Sequence, residues 1–343
     1  MIRERIAALS AFAARRGSLA LCAAALCVTT ALPACAGIVK FDVKDAFSTD
    51  PTAINDGGAI AGSYEDTSFA THGFVRSADG GIKSFDAAGA IATLPNAISG
   101  KGVIAGDYAD ESFTFHGFVR SAHGVITSFD PSGSILTAAT GVNNKGIVVG
   151  YYMDGSGVTH GFQRTSDGTI TAFDPRDSTF TVANAIDAGG TIAGYFISSK
   201  DGAYHGFLLS PTGKFRTFGV SGAIVTESNT IDKTRATAGV YADSDGIYHG
   251  FVRSTAGAIT TFDPSGAVSS FASGMNDGGT IAGYFTDGSH VEHGFVRATD
   301  GTITPFDPKG STDTEAYGIN NTGVVTGHWV DSNNTDHGYI FTP

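Results

Sequence analysis

The chain has 343 residues, of which 47 are glycine, only 16% are charged, and the formal net charge is −12. An acidic surface argues against nucleic acid and anionic membranes as partners. So much glycine with so little charge reads as β structure joined by many turns.

Residues 1–36 differ from all that follows. Arg3, Arg5, Arg15 and Arg16 precede the apolar run SLALCAAALCVTTALPACA, which ends in Ala34-Cys35-Ala36. A basic start, a short apolar stretch and a small-residue end read as a secretory signal peptide cut before Gly37. A retained membrane anchor is the competing reading, disfavoured because the run is short and rich in Ala and Cys. Leu32-Pro33-Ala34-Cys35 loosely fits a lipoprotein signal, with Pro33 out of place, and Arg15-Arg16 is compatible with a twin-arginine signal. Cys22, Cys27 and Cys35 all lie in this segment, so a mature chain from Gly37 carries no cysteine and depends on its core and closure. Losing four arginines and one glutamate takes the net charge from −12 to −15. No later stretch is apolar enough to span a bilayer.

From Gly37 onward the sequence repeats. His-Gly pairs begin at His72, His116, His160, His205, His249, His293 and His337, at steps of 44 residues with a single step of 45. The glycine of IAG-like segments keeps the same steps at Gly62, Gly106, Gly150, Gly194, Gly239, Gly283 and Gly327. So does the phenylalanine of the Phe-Asp pairs: Phe41, Phe85, Phe129, Phe173, Phe218, Phe262 and Phe306. Seven units of about 44 residues fill residues 37–343 as one domain.

Each unit predicts four short strands, as in GTITAFD (168–174), TVANAID (181–187), TIAGYF (191–196) and HGFLL (205–209). Asn-Asp-Gly-Gly, Ser-Asp-Gly and Asp-Pro-Ser-Gly at the joints are turn sequences. The expected fold is therefore all-β: a seven-bladed β-propeller with four strands per blade. A linear β-solenoid is the runner-up, but the end repeats lack the atypical caps that it needs.

The chain opens with a lone Phe-Asp strand (37–42) and finishes with a lone His-Gly strand (337–341). Elsewhere a tight Asp-Gly turn joins those two strands, so they are hairpin partners. The ring is therefore expected to close by pairing 37–42 with 337–341, which also removes exposed sheet edges. Blade boundaries fall at a longer joint, and the joint after Phe-Asp-Pro is favoured. It puts small-residue strands such as TAATGVN (137–143) near the axis. The other phase would put the histidine strands there.

The segment Ile54-Asn55-Asp56-Gly57-Gly58-Ala59-Ile60-Ala61-Gly62 and its six partners, each followed by an aromatic and then His-Gly-Phe, resemble the extracellular HAF repeat. That repeat is named for His-Ala-Phe. Here His-Gly-Phe replaces it throughout, with Tyr339 for Phe in the last unit. The resemblance covers the whole of 37–343. It implies secretion and a propeller-like fold, and it implies no reaction.

Asp stands six residues before His in six units: Asp66, Asp110, Asp154, Asp243, Asp287 and Asp331. The His–Asp pairs could be metal or catalytic dyads. Seven equivalent copies fit a scaffold better, because a catalytic site needs one local set of different groups. The glycine after His is expected to permit close backbone approach. Two residues past the landmark glycine come Tyr64, Tyr108, Tyr152, Phe196, Tyr241, Phe285 and Trp329. These pack between blades or, as with Tyr241 and Trp329, serve as sugar-stacking platforms. Asp243-x-Asp245-Gly246 and Asp287-Gly288 offer oxygens to Ca²⁺, although turn chemistry explains them as well. No other metal or cofactor motif stands out.

Symmetry breaks most in residues 198–240. Leu209 replaces the usual Arg, Gly219 replaces the Asp of Phe-Asp, and Lys233-Thr-Arg235 replaces a neutral turn. Lys233 and Arg235 mark this sector as partner- or ligand-facing. The non-repeated His123, His290 and His328 are further candidates. The sequence reads as a secreted, monomeric binding or scaffold protein for glycans or an envelope partner, in the periplasm or outside the cell. An extracellular hydrolase or lyase acting on a polymer is the alternative, because the fold hosts both.

Overall fold

The computed structural model describes residues 37–343. The expected signal peptide, its arginine pair and the three cysteines lie outside the described residues. The chain opens on β1 (Ile38–Phe41) and continues through β2 (Ser48–Ile54), β3 (Ile60–Glu65), β4 (Thr71–Arg76) and β5 (Ile82–Phe85). The pattern of β2 to β5 then recurs until the twenty-eighth strand, Asp336–Phe341. Among the described residues no helix is long and apolar enough to cross a membrane.

Within a repeat the four strands lie in chain order and antiparallel: β2 pairs β3, β3 pairs β4, and β4 pairs β5. The Phe-Asp strand is thus the edge of one set, and the joint after it leads to the next. Two pairs of consecutive sets are linked into eight-stranded sheets, each by a single parallel bridge, Thr71↔Ala92 and Thr159↔Phe180. The other three sheets have four strands. In the last of these, β1 supplies the fourth place. It pairs with Asp336–Phe341 in the register Ile38↔Phe341 to Phe41↔Gly338.

The landmark residues explain the packing. A Cβ on Gly62 would stand 2.8 Å from the Phe74 ring, and one on Gly73 would stand 2.9 Å from the Phe85 ring. At Gly62 the backbone of Asp50 and Pro51 stands closer still, whereas at Gly73 the Phe85 ring is nearest and the Phe85 carbonyl follows at 3.1 Å. The glycine of His-Gly-Phe thus makes room for an aromatic ring as well as for backbone. Phe74, Phe118, Phe162, Phe207, Phe251, Phe295 and Tyr339 are then wholly buried. Burying one such side chain contributes roughly 1.5–3 kcal/mol.

Successive repeats are joined through these rings. Phe85 meets Phe118 edge to face at 6.2 Å, and the Arg120 guanidinium lies 4.6 Å above the Phe85 ring. Phe41 meets Phe74 in the same way at 6.3 Å, with Arg76 at 4.9 Å. This contact links the sheet that holds the last repeat to the sheet that holds β2.

Candidate functional site

The histidines are held inside each repeat. His116 Nδ1 lies 2.7 Å from Asp130, the aspartate of Phe-Asp, and Nε2 lies 3.5 Å from Asp110. His72, His160, His249 and His293 sit between two carboxylates in the same way. The Asp six residues earlier is therefore the more distant partner. Its other oxygen caps its own turn, as when Asp110 Oδ1 accepts from Ser112 and Thr114 N–H. The nearer partner lies fourteen residues downstream, and the spacing pattern alone did not reveal it. His337 finds its partner in Asp42 at 3.0 Å, at the other end of the chain. His205 differs. Gly219 removes one carboxylate, and Asp201 serves at 3.0 Å in place of the missing upstream Asp.

Each imidazole also faces the aromatic two residues past the landmark glycine. Tyr241 lies 5.0 Å from His249 and Trp329 lies 4.6 Å from His337. Lys40 Nζ covers Trp329 at 3.5 Å, and that indole is buried. Both proposed sugar platforms therefore belong to the repeated His stack. The Ca²⁺ candidates spend oxygens on their own turns: Asp243 Oδ1 accepts from Asp245 and Ile247 N–H, and Asp287 Oδ1 from Ser289 and Val291 N–H. His123 and His290 are exposed turn residues, and His290 occupies a left-handed position at φ 64°.

The convergent feature lies at the other end of β2 and its six equivalents. The turns that follow these strands surround one cavity of about 250 Å³. Its lining includes Asp56, Gly100, Asn144, Ala188, Lys233, Asp277 and Asn321, one equivalent position from every repeat. The sequence explains the convergence. Asn55 uses Oδ1 to accept from Ala59 N–H at 3.0 Å, which caps its own hairpin, and donates Nδ2–H to Ser99 O of the next repeat at 3.0 Å. Asn143, Asn276 and Asn320 repeat the bond forward, and Asn320 donates to Asn55 O at 3.1 Å. Ser99, Asp187 and Asp232 have no amide to donate, so the girdle is interrupted at those three positions. Arg235 instead reaches back to within 3.9 Å of Asp187.

Polarity around the cavity is uneven. Asp56, Asn321, Asp277 and the backbone of Lys233 form a hydrogen-bonded arc. Gly100, Asn144 and Ala188 leave the opposite side open. Lys233 thus lies on the cavity as one of the candidates read from sequence, whereas Arg235 borders a neighbouring cleft.

Three repeats carry an acid at one equivalent position of the first strand: Asp50, Glu227 and Glu315. Burial pushes the Asp50 carboxyl up to about 7, and burial does the same to Glu227. Glu315 accepts from Tyr317 O–H at 2.6 Å and lies 3.8 Å from His328 Nε2. His328 is buried, and its Nδ1 has no hydrogen-bond partner among the described residues.

No protein-family model and no curated protein matches the chain. Solved structures do. Virginiamycin B lyase from Staphylococcus aureus, in a catalytically inactive histidine-to-alanine form with quinupristin, is 14% identical at a TM-score of 0.58, over 89% of this chain and 99% of that one. The β-propeller domain of the Trilobed protease from Pyrococcus furiosus, described as having an open velcro topology, is 10% identical at 0.60, over 86% and 95%. TolB from Acinetobacter baumannii is 16% identical at 0.51, over 73% and 64%. The fold is a β-propeller. At such identities the likeness carries the fold alone.

Proposed function

We propose that the protein is a secreted, monomeric, seven-bladed β-propeller that binds a carbohydrate or protein ligand over the cavity shared by its seven repeats. One observation carries the reading. All seven repeats give equivalent residues to one open polar cavity, while their histidines, carboxylates and aromatics are tied up in scaffold contacts. A symmetric mouth offers shape and hydrogen-bonding groups, which suits recognition more than bond breaking. The ring closes where β1 joins Asp336–Phe341 and where Asn320 reaches Asn55. The basic, apolar, small-residue leader and the cysteine-free remainder support export to the periplasm or beyond. The IN-x-x-G segments resemble HAF repeats, and no Ca²⁺ is needed for this reading.

The test is a glycan array probed with the secreted protein and with an Asn144→Arg/Ala188→Arg variant that crowds the open side of the mouth. Binding by the parent and its loss in the variant is expected. Equal binding by both would remove the cavity from consideration.

A hydrolase or lyase acting on a polymer is the second reading. It draws on Asp50, Glu315, Tyr317 and His328, of which Tyr317 and His328 have no like residue at the equivalent positions of the other repeats. Polymer cleavage that disappears in His328→Ala would favour it over binding alone.

A further inference from the structure

The fourth and fifth repeats enclose a second cleft, of about 300 Å³. Lys214, Arg216 and Arg235 border it, with Thr191 and Leu208 in its wall. Three cations meeting in one cleft is unusual for a chain of net charge −12. No other repeat can form it. The positions equivalent to Lys214 hold Gly81, Val125, Thr169, Ala258 and Thr302. Those equivalent to Arg216 hold a cation only at Lys83. Those equivalent to Arg235 are all glycine: Gly58, Gly102, Gly146, Gly190, Gly279 and Gly323, with φ between 75° and 100°. Arg235 holds the same left-handed turn at φ 71°, a conformation that glycine adopts without strain and arginine does not.

The cations have few internal partners. Arg235 approaches Asp187 at 3.9 Å and is otherwise 59% exposed. Lys214 and Arg216 form no ion pair among the described residues. Thr191 is 3% exposed and lines the cleft, yet its Oγ1 has no hydrogen-bond partner. A buried hydroxyl left unpaired costs free energy that a bound acceptor would recover.

We infer that this cleft binds a small ligand bearing one oxyanion, held by Lys214, Arg216 and Arg235 and accepting a hydrogen bond from Thr191. Guanidinium forks suit carboxylate, phosphate and sulfate geometry, and Leu208 offers an apolar wall to the rest of the molecule. The acidic surroundings disfavour a polyanion, so the ligand is a single acidic unit such as a uronic acid or a sugar phosphate. The cleft shares no residue with the cavity lined by all seven repeats, so the two sites fail or stand separately.

Titration calorimetry of the protein with glucuronate, glucose 6-phosphate and neutral glucose tests the inference. One or both acidic sugars should bind, with glucose silent. Which acidic sugar binds identifies the oxyanion. Lys214→Gln/Arg216→Gln should weaken binding about tenfold or more, because charge-assisted hydrogen bonds are lost. Arg235→Gly should weaken it without lowering the melting temperature, because it restores the residue of the other six turns. Thr191→Val should weaken it while leaving the fold intact. Failure of both acidic sugars to bind, or equal affinity in the double variant and in Arg235→Gly, would overturn the inference.

Discussion

Gly161 shows what a single position carries. A Cβ there would stand 2.9 Å from two atoms of the Phe173 ring, whereas one on Gly155 would meet nothing within 4 Å. Gly161→Ala should cost about 1–3 kcal/mol by overpacking, and Gly155→Ala should be nearly neutral. Urea melts of the two variants check this. Asp50 and Glu227 govern part of the pH response. Burial raises both carboxyls to about 7, above their ordinary values of 3.8 and 4.5. The fold therefore holds protons that the unfolded chain gives up. The stability linked to these groups is fully present below their ordinary values and is lost as pH rises through about 7. Asp50→Asn and Glu227→Gln should raise the melting temperature at pH 8 and do so less at pH 5. In His72, His116 and His160 burial lowers the pKa, but the flanking aspartates more than offset it. Their contribution is present below about 6.5 and is lost as pH rises through the raised value. Asp130→Asn should flatten that decline, read as melting temperature against pH. The recurrence of these histidines was legible in sequence. Their nearer partners were not, because β pairing brings Asp86 to His72 across fourteen residues.

At the scale of the element, the asparagines Asn55, Asn143, Asn276 and Asn320 each do two jobs, capping their own hairpin and donating to the next repeat. Asn276→Ala should destabilise by about 1–3 kcal/mol, since it removes the cap and leaves a buried carbonyl without its partner. Ser99 already lacks the forward bond, so Ser99→Ala should cost less. A chemical denaturation series separates the two. The fourth repeat offers the reverse experiment. A Cβ on Gly219 would stand 3.3 Å from His205 Nδ1. Gly219→Asp should supply the carboxylate that the other histidines have and raise the melting temperature. The turns themselves were legible, since Asn-Asp-Gly-Gly and Ser-Asp-Gly name their φ > 0 positions. Arg235 at such a position was legible only as an added charge. That it meets Lys214 and Arg216 depends on strands from two repeats lying side by side.

For the whole molecule, the 44-residue period carried the strand count and order, because four alternating strands with turn signals can pack in few ways. The phase followed from the small residues of strands such as Ser134–Val142, which now form the edge of each set opposite the Phe-Asp strand. The shared cavity was not legible, because no spacing in the sequence says which of the many turns converge. In the proposed molecule seven repeats form a ring closed by the chain's own ends and present one binding face. Phe41 in β1 packs on Gly338 and Phe74, and Asp42 holds His337. The most direct test is the thermal melt of a chain lacking residues 37–42, compared with the parent. Closure predicts a clear drop in melting temperature, with binding lost only as the fold opens. An unchanged melting temperature would contradict it.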